Sequence, residues 1–435
     1  MNFKSPLFNP TVCRYMSTAA LLLGCAFVSV SSRVSAAPAS APAPIKIGFI
    51  ASLTGAASEP SQRMLNGAKL YLDSIGNRVL GHPIQLVVEN DESRRIVALD
   101  KVDKLVKQDK VSVISGIYLS NILYAVAPAV EKNNEPTVIC VSGADDVTQR
   151  QPYKWLIRTS WSASQPAHPF GEYAYKVLNH KRIVTIASDY AFGYEVVGGF
   201  QRSFEQVGGK IIQKIWVPVG FTDYTQFIKQ IRGDADALFI CISSESAFKL
   251  AQQLDENGVK KPIIGGATLF EEPVLAKVGK SLVGAISSMP YSVALNTTDN
   301  EKFIEAYRKK YGEMASFYSE CGYTNMMFIV KAIESLNGNV SDRNALMAAL
   351  RKVELKHAPR GPMKLDSYGN PIDNIYIRKV EFKDGEYKNT VIHTYPMVSQ
   401  FWTWPPKEYL KAPAYSIDFP PCTFCDSKDK PKPNK

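Results

Sequence analysis

Two series of short apolar runs alternate with segments of helical periodicity along this 435-residue chain. The first series places apolar runs at 45–52, 83–89, 111–115 and 137–141 and helical segments at 63–75, 94–108 and 119–133. The second places apolar runs at 182–187, 210–217, 235–242 and 262–265 and helical segments at 170–179, 194–207, 223–232 and 245–257. Continuous apolar strands that alternate with helices are typical of parallel sheets covered on both faces. The sequence therefore predicts an α/β protein with two Rossmann-like lobes.

The pattern changes after Tyr291. Helical segments are predicted at 300–311, 318–336 and 342–351. Apolar runs at 372–382 and 387–395 flank the turn Lys383-Asp384-Gly385-Glu386 and predict an antiparallel hairpin. The proline-rich residues 396–435, which include Trp402 and Trp404, are expected to form an extended tail on the surface with a disordered end.

The N-terminus has the features of a secretory signal. Two basic residues precede an apolar run at 16–30, and residues 34–36 fit a small-residue cleavage site. The run is shorter than the roughly 20 residues of a transmembrane helix. We therefore expect removal of residues 1–36, a linker at 37–44 and a periplasmic location.

Lipid anchoring is the alternative outcome of export. The segment Leu22-Leu23-Gly24-Cys25 resembles a lipoprotein box, and cleavage before Cys25 would leave a lipid-anchored protein. The conventional cleavage site is favoured because apolar residues continue past Cys25.

The charges and the last two cysteines exclude several classes of function. The formal net charge is +10, but the basic residues are scattered, which indicates a solvated surface and no nucleic-acid partner. Cys422 and Cys425 are expected to close a local disulfide in an oxidising compartment. A redox-active pair would need a helix N-terminus, and a zinc site would need two more ligands nearby.

Catalytic motifs are not recognisable. Ser142 follows a strand, but position 140 is Cys, so the nucleophile elbow is missing. The segment Val278-Gly279-Lys280-Ser281 resembles the end of a phosphate loop, but Val274 stands where a glycine is required. The five histidines show no metal-binding spacing. We therefore expect no enzymatic activity, no cofactor and no metal.

Small and hydroxyl residues fill the turns that follow the predicted strands. In the first lobe these turns are 54–58, with Ser58, then 116–121, with Tyr118, Ser120 and Asn121, and then 141–144, with Ser142 and Gly143. The carboxyl ends of parallel strands share one edge, where helix N-termini present free N–H groups. Helix capping and tight turns explain any single turn equally well. Together the turns favour a carboxylate-binding site without a lysine.

The second lobe offers the turns 189–193, 243–245 and 266–268 at the corresponding edge. Phe192 is a candidate aromatic wall of the ligand site there, or an ordinary aromatic residue of the core. Ala267 and Thr268 follow the strand that ends in Gly265-Gly266.

These features, in this order, resemble the type I periplasmic solute-binding proteins, the leucine/isoleucine/valine-binding family of ABC importers. The motifs are Ile45-Lys-Ile-Gly with Leu53-Thr54-Gly55, Asn66-Gly67-Ala68, Ala125-Val126-Ala127-Pro128, Arg158-Thr159, Asp189-Tyr-Ala-Phe-Gly193, and Phe303 with Ala306-Tyr307 and Lys310-Tyr311-Gly312. The resemblance covers residues 45–395. It implies two α/β lobes joined by hinge strands, and a monomer that closes around one solute and delivers it to an ABC permease of the inner membrane.

The resemblance also implies a division of the chain. The first lobe would comprise 45–160 and 291–355, and the second 161–290 and 356–395, with 396–435 as the tail. Hinges are expected near 158–163, 288–293 and 353–361.

Family ligand positions can be carried over residue by residue. Ser120 matches the hydroxyl that holds the ligand carboxylate, Ser142 and Gly143 match a backbone-contributing turn, and Phe192 matches an aromatic wall. Amino-acid binders of the family place an acid after Gly-Gly, whereas here Ala267 follows. A buried ammonium without a counter-charge is costly, so an α-amino acid would need Glu245 or Glu271 to reach the site.

Aromatic residues suggest the nature of the ligand. Trp161, Phe192, Tyr118 and Tyr291 are expected to line a flat apolar pocket, or else to belong to the lobe cores. We therefore predict an aromatic or other carboxylic acid without an amino group, with a branched-chain amino acid as the alternative.

A periplasmic sensor lobe is the alternative function, although the chain has no kinase or cyclase segment. A secreted α/β hydrolase would need the missing nucleophile elbow.

Overall fold

The computed structural model describes residues 42–242 and 247–426. The predicted signal, Cys25 and Glu245 lie outside these ranges, as does the end of the tail at 427–435. Within the described ranges, no helix has the length and apolar character needed to cross a membrane.

Fifteen strands and twelve α-helices form the described part of the chain. The strands are β1 Ile45–Ala51, β2 Arg78–Val79, β3 His82–Asn90, β4 Val113–Gly116, β5 Thr137–Ile139, β6 Leu156–Arg158, β7 Arg182–Ser188, β8 Lys210–Val217, β9 Ala237–Ile242, β10 Ile263–Ala267, β11 Ile286–Met289, β12 Glu354–Leu355, β13 Met363–Leu365, β14 Pro371–Lys383 and β15 Glu386–Val398. The helices are α1 Ser58–Ser74, α2 Arg95–Lys104, α3 Ser120–Lys132, α4 Ala167–Lys176, α5 Ala191–Gln206, α6 Thr225–Ile228, α7 Ala247–Glu256, α8 Glu272–Leu282, α9 Thr298–Tyr311, α10 Phe317–Ser335, α11 Arg343–Lys352 and α12 Pro406–Tyr409.

The first lobe is built on a six-stranded sheet with the order β2-β3-β1-β4-β5-β6. All neighbouring strands pair in parallel except β2, which runs antiparallel to β3. Helices α1 and α10 pack on each other, and α2 packs on α3. Helix α9 contacts α1, and α11 contacts α10. We call this sheet with α1–α3 and α9–α11 the first lobe.

The second lobe is built on a nine-stranded sheet with the order β12-β13-β14-β11-β10-β9-β7-β8, in which β15 pairs with β14. Strands β7 to β11 pair in parallel, whereas β12 to β15 pair antiparallel. Helix α5 packs on α4 and on the sheet, and α7 packs on α8. We call this sheet with α4–α8 the second lobe.

The chain passes between the two lobes three times, after β6, after β11 and after α11. A buried ion pair ties two of these crossings together. The Arg360 guanidinium donates to both carboxylate oxygens of Glu320 on α10, and also to the carbonyls of Thr159 and Ser160. Because Arg360 and Glu320 are both fully buried, loss of Arg360 would leave the Glu320 charge without compensation.

The tail, residues 399–426, contacts both lobes. Arg150 of the first lobe donates to the carbonyl of Ala412 at 2.7 Å, and Lys214 of the second lobe donates to the carbonyl of Pro420 at 2.6 Å. The buried aromatic residues of the tail are Phe401, Tyr409 and Tyr415. Cys422 and Cys425 are joined by a disulfide.

The α/β class with two parallel-sheet lobes is confirmed by this architecture. The helix predicted at 223–232 was wrong in extent, since only Thr225–Ile228 is helical. The side-chain amide of Gln213 on β8 donates to the carbonyl of Gln230 and accepts from the N–H of Arg232. These backbone groups are therefore not available to continue the helix. The short strands β6 and β11 and the helix α8 were not predicted.

Candidate functional site

A cavity lies between the two lobes, with about 280 Å³ of space that protein atoms do not occupy, part of it open to solvent. Its walls are Tyr118, Val141, Gly143, Trp161, Tyr190, Phe192, Ala267, Thr268 and Tyr318. We call it the ligand cavity.

The first lobe presents Tyr118 to the ligand cavity through the tight turn after β4. Gly116 has a φ of 92°, and a Cβ there would lie 2.1 Å from the carbonyl oxygen of Ile50, so only glycine fits. Ile117 follows with a φ of 63°, rare for a β-branched residue, and accepts a hydrogen bond from the Ser142 N–H at 3.0 Å. This bond joins the turn to the neighbouring one that carries Gly143.

The second lobe presents Ala267 to the ligand cavity at the end of β10. Its φ of 64° and ψ of −157° lie in a region that is essentially restricted to glycine. Two residues earlier, β10 passes very close to β9. A Cβ on Gly265 would lie 2.0 Å from the carbonyl oxygen of Ile240. Strained backbone therefore occurs on both walls, at Ile117 and at Ala267.

Trp161 stands at the centre of an aromatic cluster that contains residues of both lobes. Its indole N–H donates to the carbonyl of Val141 at 2.9 Å, which fixes the ring. The ring centroid lies 5.7 Å from that of Phe192 and 5.2 Å from that of Phe317 on α10. Such distances and tilted orientations are favourable for aromatic pairs.

Tyr118, Tyr318 and Thr268 form one polar group on the wall. The Thr268 hydroxyl of the second lobe lies 2.9 Å from the Tyr318 hydroxyl of the first lobe, within hydrogen-bond distance. The Tyr318 ring packs edge-on against Tyr118 with a centroid distance of 5.4 Å. Burial raises the pKa of Tyr118 to about 12, so its hydroxyl is neutral and able to donate at physiological pH.

Glu271 does not face the ligand cavity. Its carboxylate accepts from Arg378 at 3.1 Å and from the Phe317 N–H at 2.9 Å. The condition that Glu271 reach a ligand ammonium is therefore not met, because both of its oxygens are engaged elsewhere. Among the described residues that line the cavity, none carries a carboxylate or an ammonium group.

The structure brings most of the residues predicted for the site together. Those on the wall of the ligand cavity are Tyr118, Gly143, Trp161, Phe192, Ala267 and Thr268. Ser120, Asn121 and Ser142 do not line it, although they belong to the turns that carry Tyr118 and Gly143. The hydroxyls of Ser120 and Ser142 are buried and have no hydrogen-bond partner within residues 42–242 and 247–426.

Two further residues lie elsewhere. Ser58 is the first residue of α1 and does not line the ligand cavity, although its neighbour Glu59 lines a wider opening that also reaches Thr268. The interpretation of Tyr291 as a wall residue was wrong. Its ring is fully buried against Phe303, and its hydroxyl donates to Asn300 at 2.8 Å.

Three wall residues, Val141, Tyr190 and Tyr318, were not among the predicted ligand contacts. Tyr190 lies in the turn 189–193 that the sequence singled out, so its position carried a signal. Tyr318 carried none, because the contact depends on how α10 crosses the cleft. Across the described ranges, no cluster of three or more His, Cys, Asp or Glu side chains could hold a metal ion.

Comparison with known proteins places this geometry among solute-binding proteins. A family model described as periplasmic binding protein matches residues 44–386. The Leu/Ile/Val-binding protein homolog 6 of Brucella abortus (strain 2308) is 27% identical over 362 residues, which cover 81% of this chain and 91% of that protein.

Solved structures agree with this similarity. An ABC transporter substrate-binding protein from Sphaerobacter thermophilus is 29% identical, with a TM-score of 0.77, and covers 82% of this chain and 99% of its own. A solute binding protein of an ABC transporter from Rhodopseudomonas palustris BisB5, in complex with 3,4-dihydroxy benzoic acid, is 28% identical. Its TM-score is 0.78, and the match covers 82% of this chain and 98% of that one.

Proposed function

Because the chain belongs to the periplasmic binding protein family of ABC-transporter substrate-binding proteins, we propose that it captures a small aromatic carboxylate for an ABC importer. The predicted family resemblance is confirmed by the family match. Members of this family are solute-binding proteins and not enzymes. Export directed by residues 1–36, a monomeric state and delivery to an inner-membrane permease belong to the same proposal.

The composition of the ligand cavity carries the proposal. Aromatic rings form most of its wall, with hydroxyls at Thr268 and at three tyrosines. A flat apolar ring fits such a wall, whereas the ammonium of an amino acid would be buried there without a counter-charge from any described wall residue. That burial is costly by several kcal/mol even after relaxation.

Donors at the first-lobe wall suit the carboxylate end of such a ligand. Tyr118 offers a neutral hydroxyl, and the Gly143 backbone lines the cavity beside it. Helix α3 begins at Ser120, so its positive N-terminal dipole points towards the same turn. We assign the hydroxyls of Ser120 and Ser142, which lie behind this wall, to the carboxylate in a ligand complex in which the two turns expose them, because buried polar groups rarely stay without a partner.

A related structure supports the ligand class. The R. palustris BisB5 protein is in complex with 3,4-dihydroxy benzoic acid, which is an aromatic ring with one carboxylate. This chemistry matches the wall described above.

Capture would proceed by closure of the two lobes. The contacts of Tyr318 with Thr268 and of Phe317 with Trp161 join the first lobe to the cavity wall. A ligand that touches both walls stabilises the arrangement in which the lobes meet, and its differential affinity sets the size of the shift.

Thermal unfolding of the mature protein with a panel of solutes tests the proposal. Benzoate at about 100 times its dissociation constant should stabilise the protein by about 2.7 kcal/mol, and L-leucine or L-valine should not. Phe192→Ala should weaken the benzoate effect without unfolding the protein. Phe382→Ala is the control, since that ring is exposed on the hairpin. Stabilisation by the amino acids alone would refute the proposal.

A further inference from the structure

A wide opening lies between the two lobes, on the outer side of the ligand cavity. It contains about 760 Å³ of space that protein atoms do not occupy, part of it open to solvent. Its wall includes Glu59 of the first lobe and, from the second lobe, Thr222, Phe248, Lys249, Thr268 and Lys277. Thr268 also lines the ligand cavity, so it forms the partition between the two spaces. We call this space the outer opening.

The two lobes touch on both sides of the outer opening. At its rim, a Cβ on Gly220 of the second lobe would lie 3.7 Å from that of Ala56 in the first lobe. At its inner end, the Thr268 hydroxyl lies 2.9 Å from the Tyr318 hydroxyl across the cleft. Both contacts are lost when the lobes separate. A solute that enters the parted cleft from this side therefore passes the outer opening before it reaches the ligand cavity.

We propose that the outer opening is a first docking site for the solute, where Lys249 and Lys277 attract its carboxylate and the Phe248 ring contacts its aromatic ring. The site accelerates capture, and the solute leaves it for the ligand cavity when the lobes close. This inference rests on the proposed function, because it presupposes an aromatic carboxylate as the solute.

The charges around the outer opening favour an anion. Lys249 on α7 is partly exposed and Lys277 on α8 is exposed, and these two helices pack on each other. Glu59 is the only acid among the described residues of the wall. Its carboxylate pairs with Arg63, which also binds Glu313 at 2.6 Å. The lysines and Arg63 together outweigh the two acids, and an anion is drawn into a cleft of positive charge.

The Phe248 ring adds a contact for the flat part of the solute. This ring is partly exposed on the wall, and the Lys277 ammonium lies 4.9 Å from its centroid. An aromatic face beside an ammonium suits a ring that carries a carboxylate, because the two rings pack while the charges pair. An amino acid such as leucine has no net charge and no ring, so it gains less at this site. The outer opening thus favours the same class of solute as the ligand cavity.

Stopped-flow mixing of the mature protein with benzoate tests the inference, with tryptophan fluorescence as the signal because Trp161 lines the ligand cavity. The association rate of the wild type should fall between ionic strengths of about 20 and 200 mM, since salt screens the lysines. The double variant Lys249→Gln/Lys277→Gln should associate about fivefold more slowly at the lower ionic strength and should lose most of this salt dependence.

The dissociation constant separates docking from final binding. Release passes the same opening, so the release rate of the double variant should fall together with the association rate. Its calorimetric dissociation constant for benzoate should therefore stay within about twofold of the wild type. Lys302→Gln/Lys309→Gln is the matched control, because both lysines are exposed on α9 and neither lines the outer opening. The control should keep the wild-type rates, and thermal melts show that all variants are folded.

The outcomes distinguish the inference from the proposed function. If benzoate binds and the double variant keeps the wild-type association rate, the inference is overturned and the proposed function stands. An equal loss of rate in the control would overturn it too, because the attraction would then come from the whole surface. An unchanged association rate with faster release would mean that the lysines hold the bound solute, which also contradicts docking. If benzoate does not bind the wild type, the proposed function fails and the inference fails with it.

Discussion

The carboxylate of Glu271 accepts a hydrogen bond from the guanidinium of Arg378 at 3.1 Å, and both side chains are almost completely buried. Glu271 lies three residues after Thr268 on the cavity wall. Among the described acids it is the one nearest to Thr268 in sequence, and its charge is neutralised inside the second lobe. A cavity without a free acid selects against ammonium groups, which supports an aromatic acid over an amino acid.

Removal of this charge should affect stability strongly. Glu271→Gln leaves the buried Arg378 guanidinium without its counter-charge, which typically costs about 3–5 kcal/mol. Urea denaturation followed by circular dichroism should show this loss in the free energy of unfolding. Unchanged stability together with an altered preference for amino acids would show that Glu271 serves the ligand instead.

The hydrogen bond between the Thr268 and Tyr318 hydroxyls should contribute more free energy in the ligand complex than in the free protein. Thr268→Val and Tyr318→Phe each remove it, and the bond forms only where the lobes meet. Each variant should weaken benzoate binding by about 0.5–1.5 kcal/mol, and the double variant should lose less than the sum. Calorimetric dissociation constants for the four proteins measure this coupling.

Tyr311→Phe is a suitable control for this cycle. The Tyr311 hydroxyl donates to the carbonyl of Asn66 at 2.9 Å, and α9 and α1 both belong to the first lobe. Its loss should lower stability without changing ligand affinity. Additive effects of Thr268→Val and Tyr318→Phe would show that the two hydroxyls do not act together.

Relief of backbone strain at Ala267 should stabilise the protein. Its φ and ψ cost a non-glycine residue about 1–3 kcal/mol, whereas glycine adopts them freely. Part of this gain is offset by the greater freedom of glycine in the unfolded chain. Ala267→Gly should therefore raise the free energy of unfolding by about 1 kcal/mol. A lower value in urea denaturation would mean that the Ala267 methyl group contributes more by packing than its backbone costs.

Asp145 should make stability depend on pH. Burial raises its pKa to about 6, while its side chain accepts from the Ser164 N–H and faces Arg158, Asp146 and Glu195. The unfolded chain ionises this carboxyl near pH 4, so its contribution is complete below that pH and is lost as the pH rises to about 6.

The loss through Asp145 should amount to about 3 kcal/mol between these values. Asp145→Asn should flatten the curve in this window. Part of the decline should remain from about pH 4.5 upward, because burial also raises the pKa of Glu195 well above its usual value. Urea denaturation at several pH values between 4 and 8 gives both curves. An identical slope in the variant would assign the dependence to another group.

The sequence predicted those strands whose apolar runs are continuous. Strand β8 lies at 210–217 as expected, and the hairpin of β14 and β15 surrounds the turn at 383–386. Strand β11 has the sequence Ile-Ser-Ser-Met, which has no strong apolar signal. Its pairing with β10 and β14 forms it, and such long-range pairing is not visible in local sequence.

The site was predicted to the extent that single turns determine it. Tyr118, Gly143 and Phe192 follow strand ends, and parallel strands bring their ends to one edge. The position of Tyr318 on the wall and the ion pair of Glu271 with Arg378 depend on contacts between segments that are about fifty or more residues apart. Tyr291 is a tyrosine like those of the wall, but its hydroxyl donates to Asn300 in the core.

The central claim is that the ligand cavity prefers an aromatic carboxylate to an α-amino acid. The most direct measurement is calorimetric titration of the mature protein with benzoate and, separately, with L-leucine under the same conditions. We expect a saturable heat for benzoate, and for L-leucine a dissociation constant at least about a hundredfold weaker, because an unpaired buried ammonium costs several kcal/mol. Tight binding of L-leucine with no heat from benzoate would contradict the account.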